Sequence, residues 1–408
     1  MMRRLRFHEG PALLHNGFRP FFLLGSIYAG LAVLLWVPMF YGEIAIPTAF
    51  VPRDWHVHEM LFGYVAAVIA GFLLTAIPNW TGRLPIQGAR LLLLVAVWAG
   101  GRLAVAFSVF IGWLSTATVD VAFLVLIAAA ATREMLAARN WSNLKISVIL
   151  VVLTAANVAF HLEAHVWGVA DYSIRLGLAA VIMLMIAIGG RIVPTFTRNW
   201  LVRENPGRLP VPFCRFDVVT LVLSGVGLVL WIVLPTAPTT AAALLAVGIL
   251  QAVRLARWAG YRTLRDRLVL VLHLAYAFVA IGFVLTGVAA LDLIPASGGI
   301  HAWTAGAIGT MTLAVMTRAS LGHSGHPLLA SIMTQLIYLA VLAAALTRIC
   351  AAIVPQCSNG LLPVSGLLWA AAFLGFGGSY APILLMRRRD SDALERTNML
   401  EPGKADRL

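Results

Sequence analysis

The sequence predicts an all-α integral membrane protein with twelve transmembrane helices, and three observations carry that expectation. Of the 408 residues, 61% are hydrophobic and only 12% are charged, whereas a soluble domain carries about 25% charged residues. No water-soluble core could hide so much apolar surface. Twelve stretches hold the roughly 20 mostly apolar residues that a spanning helix needs. Basic residues collect in alternate connections, as they do in the cytoplasmic loops of bilayer proteins. The runs are too long for barrel strands, and hydrocarbon offers no partner to an unpaired amide, so each span is read as a helix.

In chain order the spans are 19–40, 56–78, 88–110, 116–136, 144–167, 173–196, 216–234, 239–258, 268–291, 299–319, 328–350 and 361–386. The basic start, with Arg3, Arg4 and Arg6, shows no small-residue cleavage site after the first apolar run, so the first span is expected to be retained. Even-numbered connections hold Arg83 and Arg90, then Arg133, Arg139 and Lys145, then Arg198, Arg203, Arg208 and Arg215, then Arg254, Arg257, Arg262, Arg265 and Arg267, then Arg318. The odd connections hold almost none. Both termini are therefore expected in the cytoplasm, with residues 1–386 as one membrane domain and 387–408 as a flexible cytoplasmic tail carrying Arg387, Arg388 and Arg389. The net charge of +13 is accounted for by these loops. No basic stripe or base-stacking aromatic motif accompanies it, which excludes nucleic acid as a partner. There is no C-x-x-C-H, so covalent haem attachment is not expected, nor is a cysteine zinc or iron–sulfur site. Cys350 and Cys357 are either two unpaired thiols or a disulfide in an extracytoplasmic loop.

The inner ends of spans 2, 6 and 10 resemble one another: "LLTAIPNWTGR", "RIVPTFTRNWL" and "LAVMTRASLGH". A four-helix unit repeated three times keeps one orientation. The spacing thus permits three four-helix arcs, the arrangement of the main subunit of haem–copper oxidases. That is an analogy of fold only.

Ionisable groups in hydrocarbon are costly and mark sites facing a bundle interior or cavity. At about 1.5 Å per residue, His56 and His58 lie roughly 3–6 Å inside the outer face, His161 about 10 Å, and His165 and His301 about 5 Å. Five of the ten histidines thus share one outer layer. His161 and His165 are four apart on one helical face, and Asn157 continues that stripe. His56 and His58 are two apart and point to nearly opposite sides. At most one of them is expected as a ligand, with His58 favoured as the deeper, and Glu59, three residues after His56, could orient His56 as carboxylates do behind metal-bound imidazoles. Imidazole suits haem iron and copper. Arg102 lies about 20 Å into span 3. Its expected partner is a haem propionate or a carboxylate among Glu59, Asp120 and Glu163. His273, with Tyr276 on the same face of span 9, is a further buried candidate nearer the inner surface. Met311 and Met316 on span 10 carry thioethers that could serve copper(I), but packing is the favoured account of both.

Together, "GFRPFFLLGSIYAGLAV", "WHVHEMLFGYVAAVIAGFLLTAIPNWTGR", "GGRIVPTFTRNWL" and "HAWTAGAIGTMTLAVMTRASLGHSG" resemble the NnrS family along essentially the whole chain. The resemblance implies a multi-pass protein of the bacterial inner membrane that contains haem (here haem b) and copper. It further implies production in response to nitric oxide and protection against nitrosative stress, often beside denitrification. Expected partners are nitric oxide, the lipid bilayer and an electron donor the sequence does not name. In an enzymatic reading, Glu59 or Glu163 would deliver protons for nitric oxide conversion. In others the protein binds or senses nitric oxide without turnover, or carries a metal, haem or small anion.

Overall fold

In the computed structural model the described residues are 10–388. Arg3, Arg4, Arg6, Arg389 and nearly all of the expected tail lie outside them. Among the described residues twelve long helices follow one another, joined by shorter helical turns: α1 Phe18–Phe40, α2 Pro52–Thr81, α3 Ala89–Ala106, α4 Trp113–Ala137, α5 Leu144–Trp167, α6 Tyr172–Glu204, α7 Arg215–Val233, α8 Pro238–Ala256, α9 Arg267–Ala289, α10 over 296–323, α11 Ile332–Ile353 and α12 Ser358–Leu385. Among the described residues there is no strand, and eleven helices are long and apolar enough to cross a membrane. The chain is a multi-pass membrane protein. The remaining helix, α10, covers the stretch expected as a span at 299–319. It is helical throughout but diluted by His301, Thr304, Thr310 and Thr312. Cys350 and Cys357 are unbonded.

Sequential neighbours pack as antiparallel pairs, and the last helix returns to the first: α12 lies against α1 and α11. Small residues allow the closest approaches, as expected where lipid supplies no hydrophobic drive between helices. A side chain at Gly282 of α9 would collide with the indole of Trp303 on α10. Both α2 and α10 contain a π-helical stretch, Glu59–Val65 and Ala302–Gly309 respectively. Such wide turns concentrate at functional sites. Here each one follows directly on a histidine.

Two buried arginines are structural, and for one of them, Arg254, the sequence expectation is a loop charge. Arg254 sits inside α8 and is fully buried. Its Nε donates to Asp217 Oδ1 on α7 at 2.9 Å, and its Nη1 donates to the Ile186 carbonyl on α6 at 3.2 Å and to Tyr276 Oη on α9 at 2.8 Å. One guanidinium ties four helices because its planar fork presents several donors at once. Arg19, at the start of α1, donates to the carbonyls of Leu384 at 2.8 Å and Met386 at 2.5 Å. Those carbonyls belong to the end of α12, where helix geometry leaves acceptors unfilled and a cation is favoured.

Removing one member of a buried ion pair strands the other. Arg254→Met is expected to destabilise the protein by about 3–5 kcal/mol, read as a lower thermal midpoint in detergent micelles. Arg254→Met combined with Asp217→Leu should recover most of the loss.

Candidate metal centre

The centre begins with local sequence. In α2, ordinary helix runs to His58 and the π turn starts at Glu59. His56 and His58 therefore leave the helix on different sides. His58 is fully enclosed, and both of its ring nitrogens face oxygens. Nδ1 meets Glu59 Oε1 at 2.8 Å, while Nε2 meets Asp120 Oδ2 at 3.1 Å and Asn157 Oδ1 at 3.2 Å. His161, one turn from Asn157 on α5, brings its own Nε2 within 3.0 Å of the same Asp120 oxygen. Asn157 Nδ2 donates to that oxygen at 2.8 Å. Three helices, α2, α4 and α5, thus aim at one point, and His58, Asp120 and His161 present donor atoms within 4.8 Å of one another. Two ligands on a tetrahedral ion lie about 3.3 Å apart when the bonds are about 2.0 Å. The Asp120 oxygen lies 3.1 Å from His58 Nε2 and 3.0 Å from His161 Nε2, close to that spacing and also to ordinary hydrogen-bond lengths.

Arg102 on α3 supports the group from behind. Its Nη1 donates to Glu59 Oε1 at 2.7 Å and its Nη2 donates to Asp120 Oδ1. Tyr28 on α1 donates its hydroxyl to Glu59 Oε2. The close approach requires Gly63, where any side chain would strike Arg102 and Tyr28. Its carbonyl accepts from Trp98 Nε1 at 2.9 Å. Phe50, Phe62 and Phe160 pack around the His58 ring with centroids 5.0–5.4 Å away. Apolar walls keep water out and strengthen every charge interaction inside. Two carboxylates face one guanidinium, so with neutral imidazoles the group carries one uncompensated negative charge. A proton or a metal cation balances it. The set of two imidazoles and a carboxylate, with Glu59 behind His58, is the donor and support pattern of a divalent transition-metal site.

The other sequence candidates divide. His56 stacks on Trp36 at 4.1 Å between centroids and faces a cavity of about 780 Å³, which His301 also lines. His58, Asp120 and His161 do not line that cavity. His165 is exposed and stacked on Trp113, 4.3 Å between centroids. His273 accepts or donates at Thr197 Oγ1, 2.8 Å away, on another part of the bundle. Glu163 is committed to the start of α6, accepting from the backbone N–H of Tyr172 and of Ser173 at 2.9 Å each and from the Ser173 hydroxyl. The structure therefore brings together His58, His161, Glu59 and Arg102, and does not bring His56, His165, His273 or His301 to them. Sequence reading treated Asp120 only as a partner for Arg102, yet it is the hub of the centre. Its lone carboxylate in an apolar helix was the available signal. Arg348, in the last turns of α11 and also lining the cavity, was missed in the same way.

Replacing a carboxylate behind a metal-bound imidazole costs affinity by roughly 10–100-fold. That loss is the expected effect of Glu59→Gln on the affinity for an added divalent transition-metal ion, measured by competition with a chelator. Asp120→Ala should abolish binding, and Glu163→Gln should leave it unchanged.

A comparison with curated proteins found no match to the chain. The sequence does match the NnrS protein family model across residues 12–388, nearly all of the described structure, and the chain belongs to the NnrS family.

Proposed function

We propose that the protein is a haem- and copper-containing membrane protein of nitric oxide metabolism and nitrosative stress defence, residing in the bacterial inner membrane with twelve crossings and both termini in the cytoplasm. The observation that carries the reading is the His58–Asp120–His161 group. A chain does not assemble two imidazoles, two carboxylates and a guanidinium inside an apolar bundle without a use for them, because each costs desolvation energy.

His58, His161 and Asp120 would hold the copper ion. The donor set contains no thiolate or thioether to select copper(I), and copper(II) heads the affinity order for nitrogen and oxygen ligands. Bound copper and haem iron supply one-electron chemistry and an affinity for nitric oxide. The chain's own residues do the rest. Glu59 fixes the His58 ring through Nδ1, Arg102 holds both carboxylates in place, and the phenylalanines exclude water. Reduction of two nitric oxide molecules to nitrous oxide and water consumes two protons and two electrons, the electrons coming from an external donor. Tyr28, Glu59 and His58 form a continuous hydrogen-bonded chain that can hold a proton beside the centre, ending at His58 Nδ1. Glu163, committed to the α6 terminus, has no such chain.

The same residues would serve a protein that binds or senses nitric oxide without turnover. Purified protein separates the two readings. With reductant supplied anaerobically, nitric oxide consumption should continue for many equivalents and fall at least tenfold in Asp120→Ala. Consumption that stops at one equivalent per centre would instead establish a buffer or sensor. Absence of both iron and copper from the purified protein would turn attention to transport.

A further inference from the structure

The cavity of about 780 Å³ lies on the other side of α2 from the metal centre. Its size falls in the range of cofactor and ligand sites, roughly 300–1,000 Å³. Both π-helical stretches border it, through Tyr64 on α2 and Thr304 on α10, and Trp36, Trp231 and Trp369 supply broad aromatic walls. It reaches the loops at Asp171, Thr236 and Asp292.

Its polar groups are what define the occupant. His301 Nδ1 lies 2.7 Å from the Ser297 carbonyl. A carbonyl can only accept, so the ring proton sits on Nδ1 and Nε2 keeps its lone pair. A hydrogen bond of this kind fixes the tautomer and ring orientation of a metal-ligating histidine. His56 faces the same space from α2, and its Nδ1 is buried without a hydrogen-bond partner. Arg348 on α11 also lines the cavity, and no ion pair to a carboxylate satisfies it among the described residues. An arginine in an apolar helix without an internal counter-charge calls for an anionic ligand group, and its fork matches a carboxylate. Arg53, paired with Asp54 and Asp171, and Arg175, which donates to the Ile232 carbonyl, also line it, so among the described residues Arg348 is the guanidinium left for a ligand.

An apolar, aromatic-walled space with a ligand-ready imidazole and an unpaired guanidinium fits a flat metal-bearing macrocycle with carboxylate substituents. We propose that this cavity is the haem site, that His301 Nε2 is an iron ligand, and that Arg348 holds a haem carboxylate. The inference rests on the haem reading above and extends it. The haem and the His58–Asp120–His161 metal occupy separate compartments that share no ligand. They sit back to back across α2, whose residues 56 and 58 project into one compartment each. A helix with its side chains is roughly 10–12 Å across, so that wall is thin.

The test is optical and electron paramagnetic resonance spectroscopy of the purified full chain. His301→Gly should lose or shift the haem Soret band, and added imidazole should restore it, an outcome a merely structural histidine would not give. Arg348→Gln should keep the band position but release haem to apomyoglobin at least tenfold faster. His58→Ala should leave the haem spectrum at its wild-type position while removing the copper signal. Monodispersity on size exclusion checks folding in each variant. A wild-type spectrum in His301→Gly, or loss of haem in His58→Ala with His301→Gly unaffected, would overturn the inference alone. Wild-type protein with no haem would overturn the cofactor reading and this inference with it.

Discussion

Arg102 imposes the arrangement around it. A guanidinium in the interior of an apolar bundle must be matched in charge and hydrogen bonding, since an unpaired one costs several kcal/mol. Glu59 and Asp120 supply that match from two other helices. Once they do, His58 Nδ1 shares Glu59 Oε1 with the arginine, while His58 Nε2 and His161 turn to the Asp120 oxygen it leaves free. Asp120 Oδ1 goes to the arginine, so Oδ2 is the atom that both imidazoles and Asn157 can share. The geometry of the centre is thereby a consequence of electrostatic compensation. It is formed before any metal is considered, which is what preorganisation means for a binding site.

The π turn of α2 carries a second consequence. An uninterrupted α-helix repeats its faces every 3.6 residues, and residues beyond His58 would continue the register set before it. Widening the turn at Glu59–Val65 changes the face presented by everything that follows, while Gly63 lets Arg102 and Tyr28 come close. One short segment thus serves two neighbours of different character, a dry cluster of charges and a large aromatic-walled space.

Much of this architecture could be read from composition and spacing. The apolar runs located the helices because hydrocarbon leaves the backbone few alternatives. Their charge alternation is the ground for the proposed orientation. His58, Glu59, Arg102 and His161 stood out because titratable groups are rare in such helices. The sequence could assign them a depth, but it could not assign direction. Depth follows from residue rise alone, whereas facing depends on how helices far apart in the chain are rotated against one another. So five histidines at one expected level proved to serve different surroundings: His58 and His161 the cluster, His56 and His301 the cavity, and His165 the exterior against Trp113. Asp120 and Arg348 were visible as charges, but what each faces depends on tertiary packing. Arg254 read as a loop residue because it lies near the end of an apolar run, and only packing reveals it as a bolt through four helices.

The clasp between Arg19 and the carboxyl end of α12 links the first helix to the last. During synthesis, α1 must wait in the bilayer for the whole intervening chain to be made before its arginine finds those acceptors. The circumference of the bundle is therefore sealed by its final helix. A nascent chain released early would leave that flank of α1 uncovered and the Arg19 guanidinium without the α12 carbonyls that hold it.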